Sequence, residues 1–138
     1  MEIQAYFDNI SEQIVSELNS SKSNIRIAVA WFTDNEIFDL LCSKAQEDIS
    51  IDLVLIDDEI NRGSGIEFDD LTEAGGNVYW ISKATKGKGI MHNKFCIIDD
   101  KTIITGSYNW SRQAKKNYEN ITVINDDPKL MIQYLNEF

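Results

Sequence analysis

The chain is poor in the residues that mark whole classes of protein. One proline and seven glycines in 138 residues are too few for a collagen-like or low-complexity composition. Two cysteines, Cys42 and Cys96, lie far apart in apolar surroundings, which argues against a disulfide framework and suits reduced core thiols. No stretch approaches the ~18 apolar residues of a membrane span. The opening MEIQAYFDNISEQ lacks a basic n-region and an unbroken apolar h-region, so the expectation is one cytoplasmic domain over residues 1–138 with no membrane anchor. Cations are scarce: 13 Lys and Arg against 23 Asp and Glu give a net charge of −10, which repels phosphates at long range. Histidine is scarcest of all, with His92 alone in the chain.

What is present is unevenly placed. Residues 1–82 carry −13 and residues 117–138 carry −3, whereas residues 83–116, the stretch that holds His92, carry +6. Helical spacing of Phe7, Ile10, Ile14, Val15 and Leu18 predicts an amphipathic helix over 7–19. IRIAVAWF (25–32) reads as a strand, followed by a Thr33-x-x-Glu36 capping box and a helix. IDLVLI (51–56) repeats the strand signal; Ser64-x-x-Glu67 predicts another helix start, closed by Gly75-Gly76 before the strand NVYWI (77–81). MHNKFCII (91–98) and TIIT (102–105), joined by Asp99-Asp100-Lys101, read as a hairpin, and ITVIN (121–125) precedes a helix begun at Asp126-Asp127-Pro128. The sum is an α/β domain with a mixed, mostly parallel β-sheet flanked by helices.

Alternation places His92 and Lys94 on one face of their predicted strand, opposite Met91, Asn93 and Phe95. After the next strand comes Gly106-Ser107-Tyr108-Asn109. A glycine there permits a tight turn, and hydroxyl, amide and backbone N–H donors around it suit an oxyanion. Lys94, Ser107 and Asn109 together would make a phosphate cradle.

The joint spacing is more specific than its pieces: His92-x-Lys94, four residues, Asp99, six residues, Gly106-Ser107-x-Asn109. It resembles the HKD motif of the phospholipase D superfamily, with every fixed position filled. Tyr118-Glu119-Asn120 resembles the family's acidic residue after the motif, and AWFTDNEIFDLL with IDLVLIDD resembles its first strand, helix and second strand. The large members carry two motifs; this chain carries one. The resemblance implies a phosphodiesterase in which one histidine attacks phosphorus and a second protonates the leaving oxygen, so a single-motif chain needs a homodimer to complete the site. It assigns catalysis to His92, Lys94, Ser107, Asn109 and Glu119, the last as acceptor from the other His92 nitrogen. Asp99 and Gly106 are structural members of the motif. No cofactor and no metal enters the scheme: covalent phosphohistidine formation splits the displacement in two, and Lys94, Ser107 and Asn109 stabilise charge on the non-bridging oxygens.

Three classes of function follow. A nuclease on DNA or RNA would bind through the basic block, with Lys83, Lys86, Lys88, Arg112, Lys115 and Lys116 contacting phosphates and Trp110, beside Trp80 and Tyr108, supplying a stacking surface. A phospholipid phosphodiesterase is the alternative; the acidic first helix argues against anionic membranes. A non-catalytic interaction module is third, against which the complete motif weighs. The pairs Asp57-Asp58 and Asp69-Asp70 could be imagined as hard-metal ligands but lack a calcium-loop pattern, and a metal nuclease built on Asp99-Asp100-Lys101 is a fourth reading, distinguished by chelator sensitivity.

Overall fold

In the computed structural model, which describes residues 1–83 and 89–138, the elements in chain order are β1 (Glu2–Tyr6), α1 (Ile10–Asn19), β2 (Asn24–Val29), α2 (Asn35–Gln46), β3 (Ser50–Asp57), α3 (Glu59–Arg62), α4 (Asp69–Glu73), β4 (Asn77–Ser82), β5 (Lys94–Ile98), β6 (Thr102–Gly106), a 3-10 turn (Gln113–Lys116), β7 (Ile121–Asn125) and α5 (Pro128–Glu137). The strands form one seven-stranded sheet ordered β1-β7-β6-β5-β2-β3-β4. The sheet is mixed as the sequence predicts, but parallel pairing is confined to β2–β3 and β3–β4. The other four pairings are antiparallel; for β5–β6 the short Asp99–Lys101 turn allows only that direction.

Period-two alternation divides the core between the two faces. Cys96, Ile98, Ile104, Ile121 and Val123 turn to the side covered by α1 and α2, whose Ile14, Leu18, Ile37 and Leu41 are buried there with Ile25, Ile27, Ile51 and Leu53. Phe95, Ile97, Ile103 and Ile124 turn the other way, under Met131, Tyr134 and Leu135 of α5. Cys42 and Cys96 are both free thiols. Burial, aided by Asp70 and Asp39, pushes Cys42 up to about 11; burial, with Glu17, pushes Cys96 up as well. Neither is a reactive thiolate at neutral pH.

Local signals explain most boundaries. Pro128 stands in the first turn of α5, and the Asp127 carboxylate accepts from Leu130 N at 3.1 Å. Gly75 follows the end of α4 with φ of 110°. Asp99 and Asp100 both adopt positive φ, 56° and 51°, the two-residue turn whose twist matches a hairpin. The Asp99 carboxylate also accepts the backbone N–H groups of Lys22, Ser23 and Asn24 at 2.8–3.1 Å, tying the hairpin to the entry of β2.

Other expectations need correction. The predicted capping box at Thr33 does not form: Asp34 caps α2, its carboxylate accepting from Ile37 N at 3.2 Å. Thr33 Oγ1 instead accepts Arg112 N at 2.9 Å. Ser64 starts no helix; its hydroxyl donates to Asn61 O at 2.8 Å, closing α3. The first helix begins at Ile10, because residues 2–6 pair with β7 as an edge strand.

Candidate active site

The strand β5 begins at Lys94, so His92 sits just before it, not within it. The segment is still fixed in place, since Ala30 N donates to Asn93 O at 3.0 Å. Val29 pairs with Lys94, and Phe95 with Thr105, so the end of β2, the start of β5 and the end of β6 meet at one end of the sheet. His92, Lys94 and the Gly106–Asn109 turn are gathered there by strand register.

Lys94 Nζ lies 3.0 Å from His92 Nδ1 and 3.3 Å from Nε2, and donates to His92 O at 2.9 Å. An ammonium has no acceptor, so the ring nitrogen it engages accepts. Burial depresses the Lys94 pKa, with the Glu119 carboxylate pulling the other way. His92 is exposed on its other side, leaving an imidazole and an ammonium open to an incoming anion.

The Gly106 turn has a steric cause. A Cβ at Gly106 would lie 2.1 Å from Asn120 O, so only glycine lets β6 approach the chain entering β7. That approach places Ser107 N on Asn120 O at 3.0 Å and Asn120 N on Ser107 Oγ at 3.1 Å. The Ser107 hydroxyl donates in turn to Glu119 Oε1 at 2.5 Å, and Asn117 Nδ2 donates to Glu119 Oε2 at 3.1 Å. Glu119 is therefore held by Ser107 and Asn117 within the chain. Its expected hydrogen bond to His92 is absent among the described residues, because the carboxylate turns toward the β6–β7 crossing.

Asn109 Oδ1 accepts Trp31 N at 3.3 Å. Trp31 packs edge-on against His92 with ring centroids 5.3 Å apart, and its Nε1 donates to Asp58 Oδ2 at 2.7 Å. Asp58 caps α3 through Asn61 N. Asn61, fully buried, donates to Ala30 O and Ile56 O and accepts Phe32 N, each at 2.8 Å. Asp58 entered the sequence reading only as an imaginable metal ligand, and Trp31, Asn61 and Asn117 were not singled out. A signal existed for the first two: both stand at the carboxyl ends of parallel strands, where open α/β sheets place ligand-binding residues.

The basic block is less available than its charge suggests. Arg112 donates to Thr33 O at 2.7 Å and Ser64 O at 3.4 Å, Lys115 lies 3.2 Å from the buried Asp34 carboxylate, and Lys83 lies 3.4 Å from Glu59. Lys116 has no ion pair among the described residues, and Lys86 and Lys88 lie outside them. Trp110 is a correction: it is 2% exposed, bridged to Phe32 and packed on its ring at 5.7 Å, so it has no free face for a base. Tyr108 is buried too, and Trp80 lies under the Arg62 guanidinium at 3.5 Å. Asp57 pairs with Arg62 at 2.8 Å, and among the described residues no three His, Cys, Asp or Glu side chains converge as metal ligands.

The mixed α/β sheet thus collects imidazole, ammonium, hydroxyl and carboxylate at one end. The family model described as "Cardiolipin synthase, PLD-like domain" matches residues 14–138, and the chain belongs to the phospholipase D superfamily. It is 31% identical over 122 residues to a mitochondrial cardiolipin hydrolase of Chlamydomonas reinhardtii, covering 88% of this chain and 52% of the relative. The Xenopus laevis protein of the same name is 27% identical, with 95% and 60% covered. The chain thus spans about half the length of the curated relatives it matches. Two solved structures share the fold at a TM-score of 0.78: Nuc of Salmonella typhimurium, a phospholipase D family member, at 23% identity with 99% and 90% covered, and NucT of Helicobacter pylori at 24% identity with 99% and 92% covered.

Proposed function

We propose that the protein is a phosphodiesterase that cleaves nucleic acid through a phosphohistidine intermediate, as a homodimer in which each chain supplies one histidine. The observation that carries this reading is the contact of Lys94 with His92 beside Ser107 and Glu119, in a chain with a single histidine. A nitrogen of one His92 attacks phosphorus while the second chain's His92 gives its proton to the leaving oxygen. Water then attacks the phosphohistidine, its proton passing to the second imidazole, and the first imidazole is freed. Lys94 neutralises charge on the non-bridging oxygens, joined by the Asn109 amide, whose Nδ2 has no partner among the described residues. Glu119, by accepting from Ser107, orients that hydroxyl beside the site. Asp99 and Gly106 hold the hairpin and turn that carry these groups.

Imidazole and ammonium supply nucleophile, acid and charge neutralisation, so the scheme needs no metal. Nucleic acid is favoured by the +6 segment that carries the site, with Lys116, Lys86 and Lys88 as the phosphate contacts left to it. The relatives named as cardiolipin hydrolases favour a phospholipid instead. Incubation with excess chelator, separately with labelled single-stranded DNA, RNA, duplex DNA and cardiolipin vesicles, decides between them. Turnover of a nucleic acid that survives chelation is expected; loss of turnover restored by Mg²⁺ would replace the scheme with a metal-dependent one.

A further inference from the structure

A cleft of about 280 Å³ opens beside the His92 site and shares Trp31, Asn109 and Glu119 with it; Ile60, Gln113 and Asn117 also line it. We propose that this cleft is a nucleobase subsite, which holds the planar base adjacent to the phosphate being cleaved. The inference rests on the nucleic-acid reading above and names what that reading leaves open, the group recognised next to the phosphate.

Trp31 and Ile60, the latter 46% exposed, give the cleft apolar surface, and the Trp31 ring cannot swing away because Asp58 holds its Nε1 at 2.7 Å. Three carboxamides share the lining, and they are ordered. Gln113 Nε2 donates to Asn117 Oδ1 at 3.2 Å, Asn117 Nδ2 donates to Glu119 Oε2 at 3.1 Å, and Glu119 accepts the Ser107 hydroxyl. That chain fixes which atoms remain free. The Gln113 carbonyl oxygen and the Asn109 amide Nδ2 have no partner among the described residues. With the Thr33 and Ser111 hydroxyls, which also line the cleft and which accept Arg112 N and Ala114 N, these donors and acceptors beside an apolar wall match a ring whose edge presents both donors and acceptors and whose faces are apolar.

Other occupants fit less well. Among the described residues, Glu119 is the only charged side chain in the lining, so a second phosphate, as on a diphosphate lipid, would meet a carboxylate there. An acyl chain would cover the free amide groups without bonding them, leaving buried polar atoms unsatisfied.

The test uses the unaltered full chain on 5′-labelled single-stranded deoxyoligonucleotides in which one abasic residue is walked past each phosphate, with cardiolipin vesicles in parallel. Cleavage at phosphates flanking the abasic residue is expected to slow about tenfold or more, the range of a lost base–aromatic stack. Ile60→Ala and Gln113→Leu, chosen because neither residue touches His92, are expected to shrink that ratio between intact and abasic sites. Cleavage at the flanking phosphates as fast as in the intact oligonucleotide would overturn the subsite while leaving the phosphodiesterase reading standing. Cleavage of the vesicles with none of any oligonucleotide would overturn the nucleic-acid reading, and the subsite with it.

Discussion

At His92 and Lys94 charge is gathered into a small space, with the ammonium 3.0 Å from the ring. His92→Asn removes the nucleophile and is expected to abolish turnover, read as product formation over hours. Lys94→Ala removes the ammonium from the non-bridging oxygens and is expected to lower kcat by about 10²–10³-fold, the usual loss for one charge-stabilising donor at a developing anion. The pH dependence has a definite sign. Burial lowers the Lys94 pKa and Glu119 opposes it, so the ammonium is lost at lower pH than in an ordinary lysine. The Lys94 ammonium, followed by NMR of its side chain, is therefore expected to titrate below ~10.4. Glu119→Gln removes the opposing carboxylate and is expected to move that titration further down; a titration that stays put or rises would show that Glu119 is not what opposes the burial.

Among the elements, the hairpin β5–β6 carries both the fold and the site. Burial pushes the Asp99 carboxyl up, but hydrogen bonds from Ser23, Asn24 and Lys22 N–H and the Ser23 hydroxyl outweigh it and leave the pKa below the usual value. A depressed carboxyl contributes stability that is present above its unfolded pKa of ~3.9 and is lost as pH falls through the folded value. Asp99→Ala is expected to lower stability by about 1 kcal/mol at pH 7, with the deficit disappearing in the acid, as read by urea midpoints at both pH values. Gly106→Ala is expected to cost more, about 1–3 kcal/mol, since its Cβ would press on Asn120 O at 2.1 Å; differential scanning calorimetry checks it. Elements differed in how openly the sequence announced them. ITVIN and Asp127-Pro128 announced β7 and α5, because alternation and a proline in the first turn act locally. β1 announced nothing: EIQAY is exposed at four of five positions and exists through its pairing with β7. Thr33-x-x-Glu36 misled, since Arg112, 79 residues away, takes the hydroxyl. Motif spacing singled out His92, Lys94, Ser107 and Asn109, and the family resemblance singled out Glu119. The Trp31–Asp58 clamp and the turning of Glu119 onto Ser107 were not, for both depend on which strand ends the sheet brings together.

For the whole molecule, the governing fact is that one chain holds one histidine. Sedimentation at micromolar concentration is expected to give a dimer, and an active monomer would refute the two-histidine scheme. If nucleic acid is bound through the +6 segment, each lost phosphate contact lowers the slope of log affinity against log salt by roughly 0.7–0.9. Lys116→Ala, free of an ion pair among the described residues, is expected to flatten the slope by about that much. Lys115→Ala is expected to change it less, because that ammonium already faces Asp34 at 3.2 Å.

In the proposed two-histidine dimer, a single histidine per chain also makes activity vulnerable to defective copies of the chain. Where wild-type and His92→Asn chains are mixed and allowed to exchange, any pair that contains one altered chain lacks either its nucleophile or its acid. Activity should then follow the square of the wild-type fraction, so that half-and-half expression leaves about a quarter of the activity of an unmixed population. A chain altered at His92 would thus silence the partner it pairs with, whereas a chain that merely unfolds would leave the remaining pairs intact.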